Sequence, residues 1–444
     1  MITHEIIERI EGEAGLELEW ENNAVKYARI KFLNFRGIEK ILEKRPPLDA
    51  LIITPRVCGI CCHSHVSASV TALENCYESI GETIELTSKA MEIREIVQNA
   101  EKIQNHIKWF VFSILAELLP YDVRLASIEP FRGALWHESQ RVFSKAVKMG
   151  AIFSGQWPHG AYVMVGGVTC DPVRSDVIHA RELLNEVDHF CKEHLFGVKS
   201  DIFLEYENAT QLMHSQSLLG IAMEILSQEP YMYLGQSYDQ FIVLGKQANM
   251  GMKKAVKTKV VNTDSKYVTE SLENSFFQKE NGYTYSKSAL YKDRYYETGP
   301  LARMMVQRDN VIRDLHRRYK DSILTRIVAR VRELAYLIVR TRKLLEGLNI
   351  KEDSYIAPKW DINEIKGCGE GIIEASRGSL IHRVDIAYGK INSYDIITPT
   401  VWNLGNGSLH NPAVAQKALI GVKDIKEADL IFKSFDVCSV CTTQ

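Results

Sequence analysis

No stretch of this 444-residue chain approaches the ~20 consecutive apolar residues that a membrane span needs. Its most apolar helical run, LAYLIV, is closely flanked by arginines and glutamates. The N-terminus MITHEIIERIEGE carries acids early and lacks the apolar core of a secretory signal, so the expectation is a soluble, cytoplasmic polypeptide. Charge of one sign is missing too. A formal net charge of −2, with no basic tail and no charged block, argues against polyanion binding and so against a nucleic-acid partner. Proline and glycine never gather into a linker, nothing repeats, and no segment is of low complexity. Nine cysteines in 444 residues are too sparse for a disulfide scaffold. Their odd number argues for reduced thiols, some of them serving a metal or catalysis.

What is present is an ordinary globular composition, 45% hydrophobic and 25% charged, long enough to bury a large core. The first forty residues alternate apolar and polar side chains (LELEW, YARIKFL) around Glu21-Asn22-Asn23, which predicts strands and a turn. Helical patterns run over about Thr87–Leu119, Pro172–Phe196, Thr210–Ser227 and, longest, Asp309–Leu348, ended by Gly347 and Asn349. Met252–Tyr296 is polar, aromatic and alternating, and reads as hairpins or an irregular insertion. The expectation is one α+β domain over residues 1–444, predominantly helical. A long central helix bundle forms its core, and the N-terminal and peripheral segments are β-rich, with 252–296 as a β-rich insertion.

Two Cys-x-x-Cys pairs lie at opposite ends, in RVCGICCHSH (Arg56–His65) and FDVCSVCTTQ (Phe435–Gln444). Thiols three apart can turn both sulfurs toward one metal from a single tight turn. A thioredoxin-like pair expects a small βαβ context. Zinc-finger pairs usually lie a few tens of residues apart, whereas these sit nearly a chain length apart, which suits a deeply buried catalytic metal. Thiolate ligation alone fits zinc, iron–sulfur or nickel.

These residues resemble the large subunit of nickel–iron hydrogenases, whose motifs have the form RxCGxCxxxH and DxCxxCxxH. Arg56, Cys58, Gly59, Cys61 and His65 match the first, and Asp436, Cys438 and Cys441 the second. Between them, in order, lie RIEGE (Arg9–Glu13), NFRGIE (Asn34–Glu39), WPHGAYVMVGGVT (Trp157–Thr169), EASRGSLIH (Glu374–His382) and TPTVWN (Thr398–Asn403). By that resemblance Cys58 and Cys438 are terminal nickel ligands. Cys61 and Cys441 bridge nickel to an iron carrying one carbonyl and two cyanides, a Ni–Fe(CN)2(CO) centre. His65 hydrogen-bonds a bridging thiolate, Thr400 donates to a cyanide, and Cys62, outside the motif, supports from nearby.

Arg377 is expected over the open side of the site, where a planar permanent charge can polarise hydrogen and hold cyanide or carboxylate partners. It lies in ASRG where the family usually has APRG, and Ser376 in place of proline is expected to loosen that loop. Asp436 is expected as a canopy carboxylate near Arg377, and counting from His106 puts Glu117 in place of the other. Glu11 matches the proton-transfer glutamate. Glu39 matches a ligand of an extra cation site, Mg2+ or another divalent cation, with Gln444 standing where that site normally takes a histidine. A C-terminal peptide after this position is commonly removed in the family once the metals are inserted.

The implied activity is reversible heterolytic cleavage of H2, most simply hydrogen uptake. Electrons leave through an iron–sulfur small subunit, because no cluster motif remains among the other cysteines. A higher oligomer of such heterodimers is expected. WPHGAYVMVGGVT looks most like the cytosolic uptake and hydrogen-sensing branch, so the alternative is a low-turnover sensor signalling to a kinase. Ile60, bulkier than the valine often found there, either narrows gas access as in sensors or simply packs. An export signal on the partner would allow a periplasmic home. A related quinone-module subunit of respiratory complex I lacks the four cysteines, and a zinc-stabilised scaffold would hold zinc and no nickel.

Overall fold

The computed structural model describes residues 1–213, 216–245, 260–261, 264–278 and 282–442. The N-terminal strands β1 (Ile2–Ile7), β2 (Ala14–Glu21) and β3 (Ala24–Lys31) form an antiparallel sheet in that order. The β2–β3 turn is Asn22-Asn23, both at positive φ (52° and 60°), the left-handed pair a two-residue hairpin requires and asparagine tolerates. Apolar Leu16, Leu18, Ala28 and Ile30 are buried beneath this sheet.

Helix α1 (Cys62–Cys76) begins directly at the first cysteine pair and is buried along nearly its whole length. No helix stands out there in the sequence, because HSHVSASVTALENC has small residues all round and no amphipathic stripe. α1 lies on a second antiparallel sheet of β4 (Lys366–Ala375), β5 (Gly378–Ala387) and β6 (Lys390–Ile397). The approach is backbone to backbone: a Cβ on Gly369 or Gly371 would run into the carbonyl oxygens of Ala72 and Ala68.

The core bundle is α2 (Ser88–Lys108), α3 (Ala134–Ser154), α4 (Arg174–Phe190) and α5 (Ile323–Gly347). α2 and α4 continue as wider-wound turns through Trp109–Ile114 and Cys191–Phe196, so both predicted helices keep their expected reach. The predicted Asp309–Leu348 helix is instead two, Asn310–Tyr319 and α5. Lys320 at φ 55° ends the first, and the Ser322 side chain caps the second by accepting from the Thr325 amide at 3.4 Å. The predicted 210–227 helix also divides, into Thr210–Met213 and Leu218–Leu226, the latter capped by Ser217. Within 252–296 the described residues hold an antiparallel pair, Val268–Ser271 with Ser288–Tyr291. Residues 252–259, 262–263 and 279–281 lie outside the described ones. The last helix, α6 (Ile425–Ser434), delivers the chain to the second cysteine pair.

Candidate metal centre

The two cysteine pairs, 380 positions apart in sequence, meet in the core. Cys58 Sγ is 3.6 Å from Cys438 Sγ, Cys61 Sγ is 3.5 Å from Cys441 Sγ, and Cys438 and Cys441 are 2.9 Å apart. All four sulfurs are buried and lie within 4.8 Å of one another. Metal–sulfur bonds of about 2.3 Å at tetrahedral angles set sulfurs about 3.8 Å apart, so this set can close on one ion or share two. The sulfurs hold their protons unequally. Contact with Cys438 foremost draws Cys58 well below the ordinary thiol value, while Cys61 and Cys441 are held well above it, again through Cys438 first. Four thiols this close cannot all ionise unless a cation sits among them.

Three segments fix the two loops. The RIEGE segment pairs with the C-terminal one as a short parallel bridge: the Glu11 amide donates to Val437 O at 3.2 Å, and the Ser439 amide to Glu11 O at 2.8 Å. Gly12, at φ 81°, is where a side chain would strike Ser439 Oγ. Arg36 of the NFRGIE segment donates to Arg56 O at 3.0 Å and Val57 O at 2.6 Å in the first loop, and to Val440 O in the second. One guanidinium thus ties both loops together, a role that the sequence motif contained without disclosing. Thr398 Oγ1 donates to Cys441 O at 2.7 Å.

Arg377 sits in the two-residue turn between β4 and β5, where Ala375 pairs with Gly378. Its Nε donates to Asp436 O at 2.9 Å, and its Nη2 to Asp436 Oδ1 at 3.1 Å and Asn105 Oδ1 at 3.0 Å. Asp436 Oδ2 accepts from Asn105 Nδ2 at 2.7 Å and from Arg330 Nη1 at 2.6 Å. Burial alone would push the Asp436 carboxyl up, but Arg377 and then Arg330 outweigh it and hold it below its usual value. Arg377 and Asp436 are therefore brought together as expected. Glu117 is not. It pairs with Lys433 at 2.6 Å and with Arg9, because its helical turn lies beyond the wide-wound 109–114 segment. The second group on Arg377 is Asn105, an amide where a carboxylate was expected. Its signal lay in NHIKWF immediately before His106.

Ser376 does not leave the Arg377 turn loose. The buried Arg303 guanidinium donates to the carbonyl oxygens of Ala375 at 3.0 Å and Ser376 at 3.3 Å, and is itself held by Glu333 and Glu374. Arg377 Nη1 and Thr400 Oγ1 are among the buried polar atoms of the described residues that have no protein partner. Donors orphaned in this way suit small ligands that accept hydrogen bonds, as cyanide does.

His65 Nδ1 lies 3.0 Å from His382 Nε2, His382 Nδ1 lies 2.8 Å from Tyr394 OH, and Tyr394 OH donates to Ser69 Oγ at 3.0 Å. Burial first brings His65 down to about 4 and His382 well below its usual value, so both rings are neutral. Because Tyr394 donates to Ser69, each neutral ring donates from Nδ1. The chain thus orients His65 and leaves its Nε2 without a proton, able only to accept, and not to donate to a thiolate as the resemblance implied. Cys62 accepts from the His159 amide at 3.4 Å, and burial pushes its thiol up, as suits a structural thiol.

Glu11 is 26% exposed and paired with Lys108. A cavity of about 220 Å³ joins Arg377, Asn105 and Asp436 to Glu11, Lys108 and Arg9. Glu39 departs from expectation, since both its oxygens accept from Lys287 Nζ at 3.1 Å. An ammonium therefore holds the place of the expected divalent cation, and the residues present do not fit that ion. Gln444 lies outside the described residues.

The family model described as nickel-dependent hydrogenase matches residues 36–116 and 134–444. The periplasmic [NiFeSe] hydrogenase large subunit of Desulfomicrobium baculatum is 26% identical over 94% of this chain and 89% of that protein. The uptake hydrogenase large subunit of Bradyrhizobium diazoefficiens is 24% identical over 98% of this chain and 94% of its own. The reduced Ni-Fe-Se hydrogenase of D. vulgaris Hildenborough superposes with a TM-score of 0.84 at 23% identity, covering 100% of both chains, and so shares the fold. The selenium in two of these names is theirs, since the four thiols that meet here are all cysteine. The expected cytosolic or sensing branch gains no support from these relatives, one named periplasmic and one an uptake enzyme. No helix among the described residues is long and apolar enough to cross a membrane.

Proposed function

The chain belongs to the nickel-dependent hydrogenase family and is an oxidoreductase acting on H2, and on that premise we propose that it is the catalytic large subunit of a nickel–iron uptake hydrogenase. The observation that carries this reading is the closure of four buried cysteine sulfurs, within 4.8 Å, beneath Arg377. Cys58, Cys61, Cys438 and Cys441 would together hold the nickel and the iron. Bound there, the Ni–Fe(CN)2(CO) centre supplies the Lewis acidity and redox capacity that split H2 heterolytically.

The remaining work falls to the chain itself. Arg377 Nη1 and Thr400 Oγ1, both buried and unpartnered, present donors for the cyanides. Arg377 carries its charge into a buried site, held in pose by Asp436 and Asn105. Glu11 pairs by backbone with Cys438, and its carboxylate, held by Lys108, is part-exposed, so it would carry outward a proton released at the Cys438 sulfur. Among the described residues the four cysteines form the one His/Cys/Asp/Glu group able to hold a metal. Electrons therefore need an outside carrier, and an iron–sulfur small subunit fits that need.

The test is infrared spectroscopy on the purified native complex with nickel quantified. One carbonyl and two cyanide bands with one nickel per chain are expected. Zinc without nickel, and no such bands, would return the cysteines to a structural role. Brisk hydrogen-dependent dye reduction supports uptake, whereas very slow turnover with kinase binding would favour a sensor.

A further inference from the structure

We infer that Lys287 is a built-in cation that replaces the divalent metal beside the C-terminal cysteine loop, so that this subunit needs no third metal. The inference goes beyond the catalytic reading and stands on different residues. Glu39, on the short helix Ile38–Leu42, and Glu270, on the strand Val268–Ser271, both turn their carboxylates to Lys287, which immediately precedes the strand Ser288–Tyr291. Lys287 Nζ donates to Glu39 Oε1, Glu39 Oε2 and Glu270 Oε2, each at 3.1 Å. An ammonium has three N–H donors, and here all three are used.

The groups are largely enclosed, their side chains 18%, 16% and 17% exposed for Lys287, Glu39 and Glu270. A fourth donor, the Ile396 amide, reaches Glu39 Oε1 at 2.8 Å. Both Glu39 oxygens thus already have donors. A magnesium ion needs oxygens at about 2.0–2.1 Å in near-octahedral array, and cannot share that space with an ammonium at the centre of the same oxygens.

The location gives the ammonium a task. Ile396 lies two residues before Thr398, whose hydroxyl holds the Cys441 carbonyl at 2.7 Å. Lys287 therefore braces, through Glu39 and β6, the loop that carries two of the four cysteines. A single covalently attached charge does this without a metal equilibrium, so the brace cannot be stripped by a chelator.

The test uses the mature holoenzyme. Chelator-washed wild type is expected to hold less than about 0.1 equivalent of magnesium, calcium, manganese or zinc, and iron no greater than the active site and the partner's clusters require. Its melting temperature should not change with EDTA or millimolar Mg2+. Lys287→Met leaves two enclosed carboxylates facing each other, which is the ligand set of a hard cation. It should melt lower and regain several degrees when Mg2+ is added, because a ligand bound only by the folded state stabilises it. Lys287→Arg should stay insensitive to Mg2+. A third divalent ion near one per chain in wild type, a wild-type melting temperature that falls with EDTA and returns with Mg2+, or a Lys287→Met protein indifferent to Mg2+ would each overturn the inference. If Lys287→Met does not fold, the wild-type metal count and EDTA response decide. None of these readouts depends on the carbonyl and cyanide bands, so failure here is distinguishable from failure of the catalytic reading.

Discussion

Replacing Arg303 with methionine removes a fully buried guanidinium from between two carboxylates. Its Nε and Nη2 donate to Glu333 at 2.6 and 2.7 Å, and its Nη1 to Glu374 at 3.0 Å. After the change Glu333 keeps only His106, at 2.8 Å, and Glu374 keeps Ser379 and the amides of Leu244 and Gly245. Breaking a buried ion pair from one side costs about 3–5 kcal/mol. That is a large part of the roughly 5–15 kcal/mol by which a protein is stable. Arg303→Lys separates charge from geometry: an ammonium keeps compensation for the carboxylates but lacks the fork that also reaches the carbonyls of Ala375 and Ser376. The lysine variant should lose only about 1–3 kcal/mol. Its turnover per nickel should nevertheless fall at least about tenfold, since displacing a catalytic group by about 1 Å can cost about a hundredfold. Urea unfolding followed by tryptophan fluorescence, and hydrogen-dependent dye reduction normalised to nickel, measure the two effects on the same preparations. Full turnover in the lysine variant would refute the claim that Arg303 positions Arg377. A methionine variant within about 1 kcal/mol of wild type would refute the assigned weight of the buried pair.

Glu11→Gln should leave nickel content and infrared bands unchanged while slowing hydrogen–deuterium exchange about a hundredfold or more; exchange at the full rate would remove Glu11 from the proton route. Arg36→Met should lower nickel retention after gel filtration, because both cysteine loops lose their common tie, and undiminished nickel would show that the loops hold without it. Glu101 accepts from the His63 amide at 2.7 Å, and burial foremost raises its carboxyl to about 8. Between its ordinary value near 4.5 and about 8 the folded state therefore holds a proton that the unfolded chain has released. Stability should fall as pH rises through that window, by about 1.4 kcal/mol per unit at most, and level off above it. Urea midpoints from pH 5.5 to 7.5 check this, and Glu101→Gln should flatten the slope; a slope unchanged in the variant would assign it to another group.

Much of the site was legible in one dimension because its chemistry resides in residue types at short spacing. Two thiols three apart can face one ion wherever the fold puts them, so Cys58, Cys61, Cys438 and Cys441 could be named from the sequence. The N-terminal hairpin was legible for a similar reason: Asn22-Asn23 supplies the left-handed turn locally. Glu117 shows where counting fails. An i-to-i+11 estimate along a helix assumes regular winding, and the wide turn at Trp109–Ile114 rotates everything after it. α1 was hidden because a helix buried on every side has no polar face to set a period.

What the sequence determined by itself is which four cysteines meet, the family, and the helical character of the chain, each a matter of local pattern or ordered motifs. The tertiary structure alone decided which groups complete the site. Asn105 rather than Glu117 meets Arg377, Arg303 holds the turn that Ser376 was expected to loosen, and Lys287 fills the place expected for a metal beside Glu39. Each of these contacts joins residues dozens to hundreds of positions apart. A charge or an amide at such a distance carries no local signature, and its partner is set only when buried groups must find counter-charges in the folded core.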